Sequence, residues 1–172
     1  VGDAQVVVDF SGAEGAALVI RTAAARRVNV VVGSTGIQDP LIEEASNLAQ
    51  EHQVGIFIAP NFAMGAVLMT HLSRVAARFF DYADLTEMHH EAKIDAPSGT
   101  AIAIANAAVE GKGGPFTAPK AEKELIPNTR GGDSHGVTVH SARMPGRMAH
   151  HELVFGTLGQ TLTIRHDSIN RE

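Results

Sequence analysis

Residues that can bind anions and transfer protons are concentrated in one stretch, which reads TEMHHEAKIDAPSGT from Thr86 to Thr100. It contains His89, His90 and Lys93. Imidazole can act as a general acid or base near neutral pH, and a lysine ammonium can hold a carboxylate. Because adjacent strand residues point to opposite faces, the two histidines can share a pocket only if the strand ends beside them. The stretch predicts acid–base chemistry on a small anionic molecule.

The end of this stretch predicts a helix start that binds an anion. Pro97 fits the first turn of a helix, where its missing N–H costs nothing. Ser98, Gly99 and Thr100 would then present backbone N–H groups and two hydroxyls at the positive end of the helix dipole, which favours a carboxylate or a phosphate. Gly99 has no side chain to keep the ligand away from the backbone.

The nine histidines raise the alternative of a metal site, but their spacing disfavours it. Zinc-binding histidines are typical at H-x-H on a strand or H-x-x-x-H on a helix, whereas His89 and His90 are adjacent. We therefore assign no metal ligand. The second adjacent pair, His150 and His151, has no comparable neighbours and is predicted to lie at the surface or at an interface.

The first sixty residues alternate between strand and helix patterns and predict a parallel sheet. Three short β-branched runs are separated by segments of helical length, as in βαβ units. Ligands of such sheets bind at the carboxyl ends of the strands. Gly33, Ser34 and Thr35 follow the second strand, and they offer N–H groups and hydroxyls to a dinucleotide or form only a tight turn. Neither G-x-G-x-x-G nor a P-loop motif occurs.

The pattern changes near Phe62, where a second domain is predicted to begin. A helix over 64–80 carries an apolar stripe from Leu68 to Phe79, predicted to face the core, and a strand follows over 83–90. Residues 110–134 are rich in glycine, proline and lysine and predict a long mobile loop or lid. Three further β-rich stretches are 137–143, 152–157 and 160–166. The predicted fold class is α/β: a partial Rossmann-type parallel sheet followed by an α+β domain with a mixed, mostly antiparallel sheet.

Composition excludes several classes of protein. The 172 residues carry a net charge of −5, with seven Phe, one Tyr and no Trp, whereas nucleic-acid binding needs a basic face and stacking aromatics. The absence of cysteine excludes disulfides, thiolate zinc sites and a cysteine nucleophile. No apolar run is long enough to cross a bilayer, and no basic-then-apolar leader follows Val1. We expect a cytoplasmic protein that acts on a small molecule, with no nucleic-acid or membrane partner.

The segment from Glu87 to Ala101 resembles the signature of the dihydrodipicolinate reductase family, E-x-H-H-x-x-K-x-D-A-P-S-G-T-A. The similarity continues in shorter segments along the chain: VDF (8–10), VGSTG (32–36), APNF (59–62), RGGD (130–133) and TIRHDS (163–168). The resemblance implies a reductase that transfers a hydride from NADH or NADPH to the cyclic dicarboxylate 4-hydroxy-tetrahydrodipicolinate. The product would be tetrahydrodipicolinate, in lysine and diaminopimelate biosynthesis. It also implies a homotetramer.

The same resemblance implies roles for individual residues. His89 is the expected proton donor and acceptor, and Lys93 is expected to be a second proton donor. The expected substrate-binding residues are His90, Lys93, Ser98, Gly99, Thr100 and Arg171. The expected cofactor-binding residues are Gly33, Ser34, Thr35, Ala59, Pro60, Asn61 and Phe62. Ser34 stands where the family usually has threonine, and it keeps the hydroxyl.

The resemblance also predicts the domain organisation. Residues 1–62 are expected to be part of a dinucleotide-binding domain, 63–170 a substrate-binding and tetramerisation domain, and 171–172 the start of a return to the first domain. The family's glycine loop, which holds the pyrophosphate, would precede Val1, so we expect an internal fragment of the reductase. Two other classes stay open: a metal-dependent hydrolase that uses the histidines, and a non-catalytic oligomerising module.

Overall fold

The computed structural model describes residues 2–59 and 61–170, and the chain divides into two compact units, Val1–Phe62 and Ala63–Glu172. The elements of unit 1 are β1 (Val6–Asp9), α1 (Ala13–Ala24), β2 (Asn29–Val32), α2 (Asp39–His52) and β3 (Ile56–Ile58). Those of unit 2 are α3 (Met64–Ala77), β4 (Tyr82–His89), α4 (Gly99–Lys112), β5 (Gly132–Ser134), β6 (Val137–Arg143), β7 (Ala149–Thr157) and β8 (Gln160–Ser168).

Unit 1 is a three-stranded parallel sheet in the order β1-β2-β3, with α1 and α2 as its helices. Val30 and Val32 of the central strand are buried with Ile20 of α1 and Ala45 of α2, and this apolar cluster forms the core. Since parallel strands need helical crossovers, the alternating pattern of the sequence leads directly to this architecture. The predicted parallel sheet is confirmed.

Unit 2 is built on a five-stranded sheet in the order β5-β6-β4-β7-β8. The central strand β4 runs parallel to β6, and the other three pairings are antiparallel, which confirms the predicted mixed sheet. Every second residue of β4 from Ala83 to His89 is buried. Leu85 belongs to an apolar core with Leu153 and Phe155 of β7 and Ile104 of α4.

Helix α3 buries a different face from the one that its sequence predicts. Leu68, Leu72 and Phe79 are 53%, 42% and 69% exposed, so the prediction that this stripe faces the core is wrong. The buried residues are mostly smaller: Ala66, Met69, Ser73 and Ala77. They let α3 and α4 approach so closely that a Cβ atom on Gly111 would lie 2.0 Å from the Arg74 carbonyl oxygen. The helix carries apolar residues on two faces, and close packing with α4 selects the smaller set.

Several predicted boundaries need correction. Helix α4 begins at Gly99 with Ser98 as its N-cap, so Pro97 precedes the helix instead of lying in its first turn. The predicted loop over 110–134 is shorter, since α4 continues to Lys112 and β5 occupies its other end. Within the described ranges, no helix combines the length and the hydropathy needed to cross a membrane. The same residues contain no group of three or more His, Asp or Glu placed to hold a metal ion.

Candidate active site

A fully buried carboxylate, that of Glu87, lies near the end of β4 and organises the residues around it. The parallel register sets Ser141 of β6 opposite Glu87 and Arg143 opposite His89. The Arg143 guanidinium binds the carboxylate with both amino groups, Nη2 to Oε1 at 2.7 Å and Nη1 to Oε2 at 3.1 Å. Burial raises the pKa of Glu87, but hydrogen bonds from Arg143, Ser141 and His89 outweigh it, and the net shift is downward. Glu87 is therefore an ionised acceptor at neutral pH.

His89 is oriented by this carboxylate. Its Nδ1 contacts Glu87 Oε2, and because an ionised carboxylate can only accept, the imidazole donates from Nδ1. This tautomer leaves Nε2 as the nitrogen that can exchange a proton with a ligand. Burial lowers the pKa of His89, Lys93 and Arg143 act in the same direction, and Glu87 opposes them; the net shift is downward. The ring is neutral at neutral pH before a ligand arrives.

His151 of β7 completes the cluster, and the prediction that it lies at the surface or at an interface is wrong. The side chain is 2% exposed, because β7 sets it directly opposite Glu87 on the covered face of the sheet. Its ring meets that of His89 edge to face at a centroid distance of 5.4 Å, and its Nε2 lies 3.2 Å from Ser98 Oγ. Burial, reinforced by the neighbouring His89, lowers the pKa of His151 to about 4. Its neighbour His150 is half-buried and contacts Asp167 at 2.6 Å.

The segment between β4 and α4 carries Lys93. The chain turns directly after the strand, and the Lys93 N–H donates to the His90 carbonyl oxygen at 3.2 Å. The strand thus ends beside the two histidines, which is the condition expected from the sequence for them to share a pocket. The Lys93 ammonium contacts Asp95 Oδ1 at 2.6 Å, and this bond lowers the pKa of Asp95. Arg143 also donates to the Asp95 carbonyl oxygen at 2.7 Å. One guanidinium therefore ties this loop to the buried carboxylate of β4.

The first turn of α4 exposes its backbone at Gly99, whereas the side chain of Ser98 faces inward. Ser98 is 1% exposed, and its Oγ accepts the Ala101 N–H at 3.2 Å while it contacts His151. Gly99 is exposed, and a Cβ atom there would meet nothing within 4 Å. Thr100 is half-buried. The backbone at Gly99 is thus open to a ligand, whereas the Ser98 hydroxyl is committed within the protein.

In unit 1 the strand ends bring Gly33 and Ser34 together with a second buried carboxylate, Asp9. The Ser34 hydroxyl donates to Asp9 Oδ2 at 2.8 Å and accepts the Gly12 N–H at 2.9 Å. Ser34 is 5% exposed, so its hydroxyl joins the turns after β1 and β2 and is not offered to solvent. Thr35, the next residue, is exposed.

An aromatic surface lies at the same strand ends. The Phe10 ring fills the space beside Gly33, where a Cβ atom would lie 2.0 Å from Phe10 Cε1. The rings of Phe10 and Phe62 are 5.5 Å apart and 65% and 50% exposed. Ala59 and Asn61 of the same loop are half-buried. The predicted cofactor residue Pro60 and the predicted substrate residue Arg171 lie outside the described residues.

Three important residues received no role from the sequence: Glu87, Arg143 and His151. Glu87 and Arg143 lie 56 positions apart in the sequence and meet across two paired strands. No local sequence pattern reveals such a contact. A signal for His151 does exist, because Leu153 and Phe155 follow it at every second position, and all three residues are buried on the same face of β7. Reading that alternation would have predicted a buried histidine.

Comparison with known proteins identifies the family of the chain. Residues 65–172 match the family model described as dihydrodipicolinate reductase, C-terminus, and residues 1–62 match its N-terminus. Proteins named 4-hydroxy-tetrahydrodipicolinate reductase from Dehalococcoides mccartyi (strain CBDB1) and Moorella thermoacetica are 47% and 45% identical over 97% and 98% of this chain. The chain spans 63% and 62% of their lengths. A dipicolinate-bound dihydrodipicolinate reductase from Paenisporosarcina sp. TG-14 is 37% identical with a TM-score of 0.81, over 96% of this chain and 63% of that one. The chain belongs to the dihydrodipicolinate reductase family.

Proposed function

We propose that the full-length protein reduces 4-hydroxy-tetrahydrodipicolinate to tetrahydrodipicolinate, with the hydride supplied by NADH or NADPH and the 4-hydroxyl group lost as water, a step of lysine and diaminopimelate biosynthesis. The observation that carries the proposal is the buried pair of Glu87 and His89, next to Lys93 and the open first turn of α4. This arrangement sets a proton-exchanging imidazole beside groups suited to carboxylates, within a chain of the reductase family.

Lys93, His90 and the α4 start bind the substrate carboxylates in this proposal. An ammonium has three N–H donors, and the bond to Asp95 uses one of them, so Lys93 can still donate to a ligand. The exposed Gly99 backbone adds donors at the positive end of the α4 dipole. Ser98 contributes as the cap that shapes this turn. Arg171 is proposed as a further cation.

His89 is the proposed proton donor. Although its pKa is lowered in the free protein, a bound dicarboxylate brings negative charge beside the ring and raises that pKa, so substrate binding favours the imidazolium. The Glu87 carboxylate stabilises the imidazolium through Nδ1 and leaves Nε2 to deliver the proton. Lys93 is the second proposed donor. Each then regains its proton from solvent.

The strand ends of unit 1 fit a nicotinamide cofactor, whose chemistry when bound is to supply the hydride. Phe10 and Phe62 expose two aromatic rings, tilted by 57° to each other, against which a planar ring can pack, and the exposed Thr35 presents a hydroxyl directly after Ser34. In this proposal Gly33 admits the Phe10 ring and Ser34 holds the turn. The loop 59–62 supplies the remaining contacts, through Ala59, Pro60, Asn61 and Phe62.

We also propose a homotetramer in which the five-stranded sheets pack together. The residues of β4 that alternate with the buried ones, such as Thr86 and Met88, are half-buried in a single chain. A sheet covered on one face by helices gains stability when a second layer covers the other face. Sedimentation of the full-length protein tests this, and a stable monomer at micromolar concentration contradicts it.

The activity is tested by following nicotinamide oxidation by the purified full-length gene product, with 4-hydroxy-tetrahydrodipicolinate and either NADH or NADPH. Turnover that depends on the substrate and persists in the presence of a chelator supports the proposal. Absence of turnover with both cofactors overturns it. Hydrolytic activity that a chelator abolishes would identify the metal-dependent alternative instead.

A further inference from the structure

His151 lies between the two parts of the proposed site, the proton donor and the anion-binding turn. On one side its ring packs against His89 at 5.4 Å, and on the other its Nε2 meets Ser98 Oγ at 3.2 Å. Burying an imidazole so deeply is costly unless its polar atoms are used. Among the described residues, its Nδ1 has no hydrogen-bond partner. A histidine retained under these conditions calls for an explanation beyond filling space.

The hydrogen-bond network assigns the direction of the contact between His151 and Ser98. Ser98 Oγ already accepts the Ala101 N–H, so the buried hydroxyl needs an acceptor for its own hydrogen. Among the described residues, the His151 imidazole provides this acceptor when it is neutral and has its lone pair on Nε2. The opposite direction would leave both the Ser98 O–H and the His151 Nδ1 lone pair unsatisfied. A bond from the Ser98 O–H to Nε2 therefore satisfies more of the buried groups.

The environment keeps His151 in the neutral form that this bond needs. Burial and the adjacent His89 lower its pKa to about 4, and His166 and His150 act in the same direction, whereas Glu87 opposes them. Two imidazoles in edge-to-face contact do not both carry a proton readily, and Glu87 contacts His89. The proton that is taken up when the substrate binds therefore resides on His89.

We propose that His151 is a positioning residue with two separable tasks: its ring holds the His89 imidazole in place, and its Nε2 holds Ser98 and with it the first turn of α4. The proposal rests on the proposed reductase function. It predicts that the two tasks affect different kinetic constants, since His89 acts in proton transfer and the turn of α4 acts in binding.

Two substitutions separate the tasks in the full-length protein. His151→Gln keeps an amide near the position of Nε2 and so preserves the bond to Ser98, but it removes the ring that packs on His89. We expect kcat to fall about tenfold while KM stays near the wild-type value. His151→Phe keeps the ring and removes the acceptor, so KM should rise about fivefold while kcat is largely retained.

Further variants keep the test decisive. His151→Asn is too short to reach Ser98 and lacks the ring contact, so kcat should fall and KM should rise. If the phenylalanine variant does not fold, the binding task is measured by comparing Asn with Gln, because both lack the ring and only Gln keeps the bond to Ser98. Ser98→Ala should raise KM, and combining it with His151→Phe should add little. His52→Leu, in unit 1, is the control and should leave both constants unchanged.

The outcomes distinguish the two proposals. Opposite splits of kcat and KM in the Gln and Phe variants support the positioning role. Parallel losses in both, or a Gln variant no better than Asn, overturn that role and leave the reductase activity standing. A wild-type protein without turnover overturns the proposed function and this inference together.

Discussion

Units 1 and 2 each place a buried carboxylate near the end of a strand, yet the two carboxylates have different kinds of partner. In unit 1 the carboxylate of Asp9 binds hydroxyls, those of Ser34 and Ser11, and hydrogen bonds from Ser11 and Ser34 outweigh burial to lower its pKa. In unit 2 the carboxylate of Glu87 binds a guanidinium and an imidazole. In unit 1 the buried carboxylate holds a turn through neutral partners, whereas in unit 2 one partner is the imidazole of His89, which we propose as the proton donor.

The largest expected effect comes from removing the cation of unit 2. Arg143→Leu leaves the Glu87 charge buried without its strongest partner, and we expect the free energy of unfolding to fall by about 3–5 kcal/mol. The double variant with Glu87→Leu should recover most of that loss, because both charges are gone. Urea unfolding at neutral pH measures both. The exposed pair of Arg21 and Glu44 is the control, and Arg21→Ala should leave stability unchanged.

The second expected effect is a dependence of stability on pH that arises from His151 of unit 2. The pKa of His151 is about 4 in the folded protein against 6.5 ordinarily, so below pH 6.5 the unfolded chain takes up a proton that the folded chain does not. Stability should therefore fall by about 3 kcal/mol as the pH decreases from 6.5 to 4. The groups that act on the ring are Glu87, His89, His150 and His166.

His151→Gln is the comparison for this pH dependence. The free energy of unfolding of each protein is measured at pH 7 and pH 4. The decrease on acidification should be about 3 kcal/mol smaller in the variant. An equal decrease in both proteins would mean that His151 is not the titrating group.

The third effect concerns chemistry. His89→Gln removes the proposed proton donor but keeps a hydrogen-bonding side chain of similar size, so kcat should decrease about 10²-fold or more with little change in KM. Steady-state kinetics of the full-length protein measure this. If kcat stays at the wild-type value and only KM rises, His89 binds substrate and does not donate the proton.

The fourth effect tests the structural cluster of unit 1. Ser34→Ala leaves the Gly12 N–H without the acceptor it has now and removes a donor to Asp9, so stability should fall by about 1–2 kcal/mol. Ser34→Thr, which keeps the hydroxyl, is the matched control. Thermal unfolding should separate the two variants, and equal melting temperatures would contradict the bridging role of the hydroxyl.

The smallest effect has opposite signs for folding and for binding. Gly99→Ala puts a methyl group into open space, and the lower entropy of the unfolded chain should stabilise the protein by about 0.5 kcal/mol. The same methyl group should hinder an anion from approaching the α4 start, so the dissociation constant for the proposed cyclic dicarboxylate substrate should rise. Calorimetry of binding and of unfolding measures the two quantities. Tighter binding would contradict the assignment of the turn as an anion site.

The residues that the sequence predicted lie close together along the chain, whereas those that it missed lie far from them. His89, Lys93 and Ser98 lie within ten residues, and a single motif brings them to attention. The partners Arg143 and His151 lie some fifty residues further on, and only the pairing of β4 with β6 and β7 brings them to the same place.

Some predictions differ from the structure because one residue type can occupy either a buried or an exposed position. Apolar residues occupy two faces of α3, and the choice between them depends on how closely α4 approaches. Ser34 and Ser98 were predicted to offer hydroxyls to ligands, yet both are buried and bond to the protein. Residue type predicted that these serines matter, and only the surrounding backbone shows what they contact.

The Arg143 guanidinium also links the loop before α4 to a distant part of the chain. Its bond to the Asp95 carbonyl oxygen spans 48 positions, and the same side chain holds the carboxylate of Glu87. If the loop opens by breaking the bond between Arg143 and Asp95, it disturbs the guanidinium that also pairs with the buried carboxylate of Glu87. Local fluctuations of the loop between β4 and α4 and opening of the β4–β6 pairing should belong to one cooperative unit, with similar rates of amide hydrogen exchange.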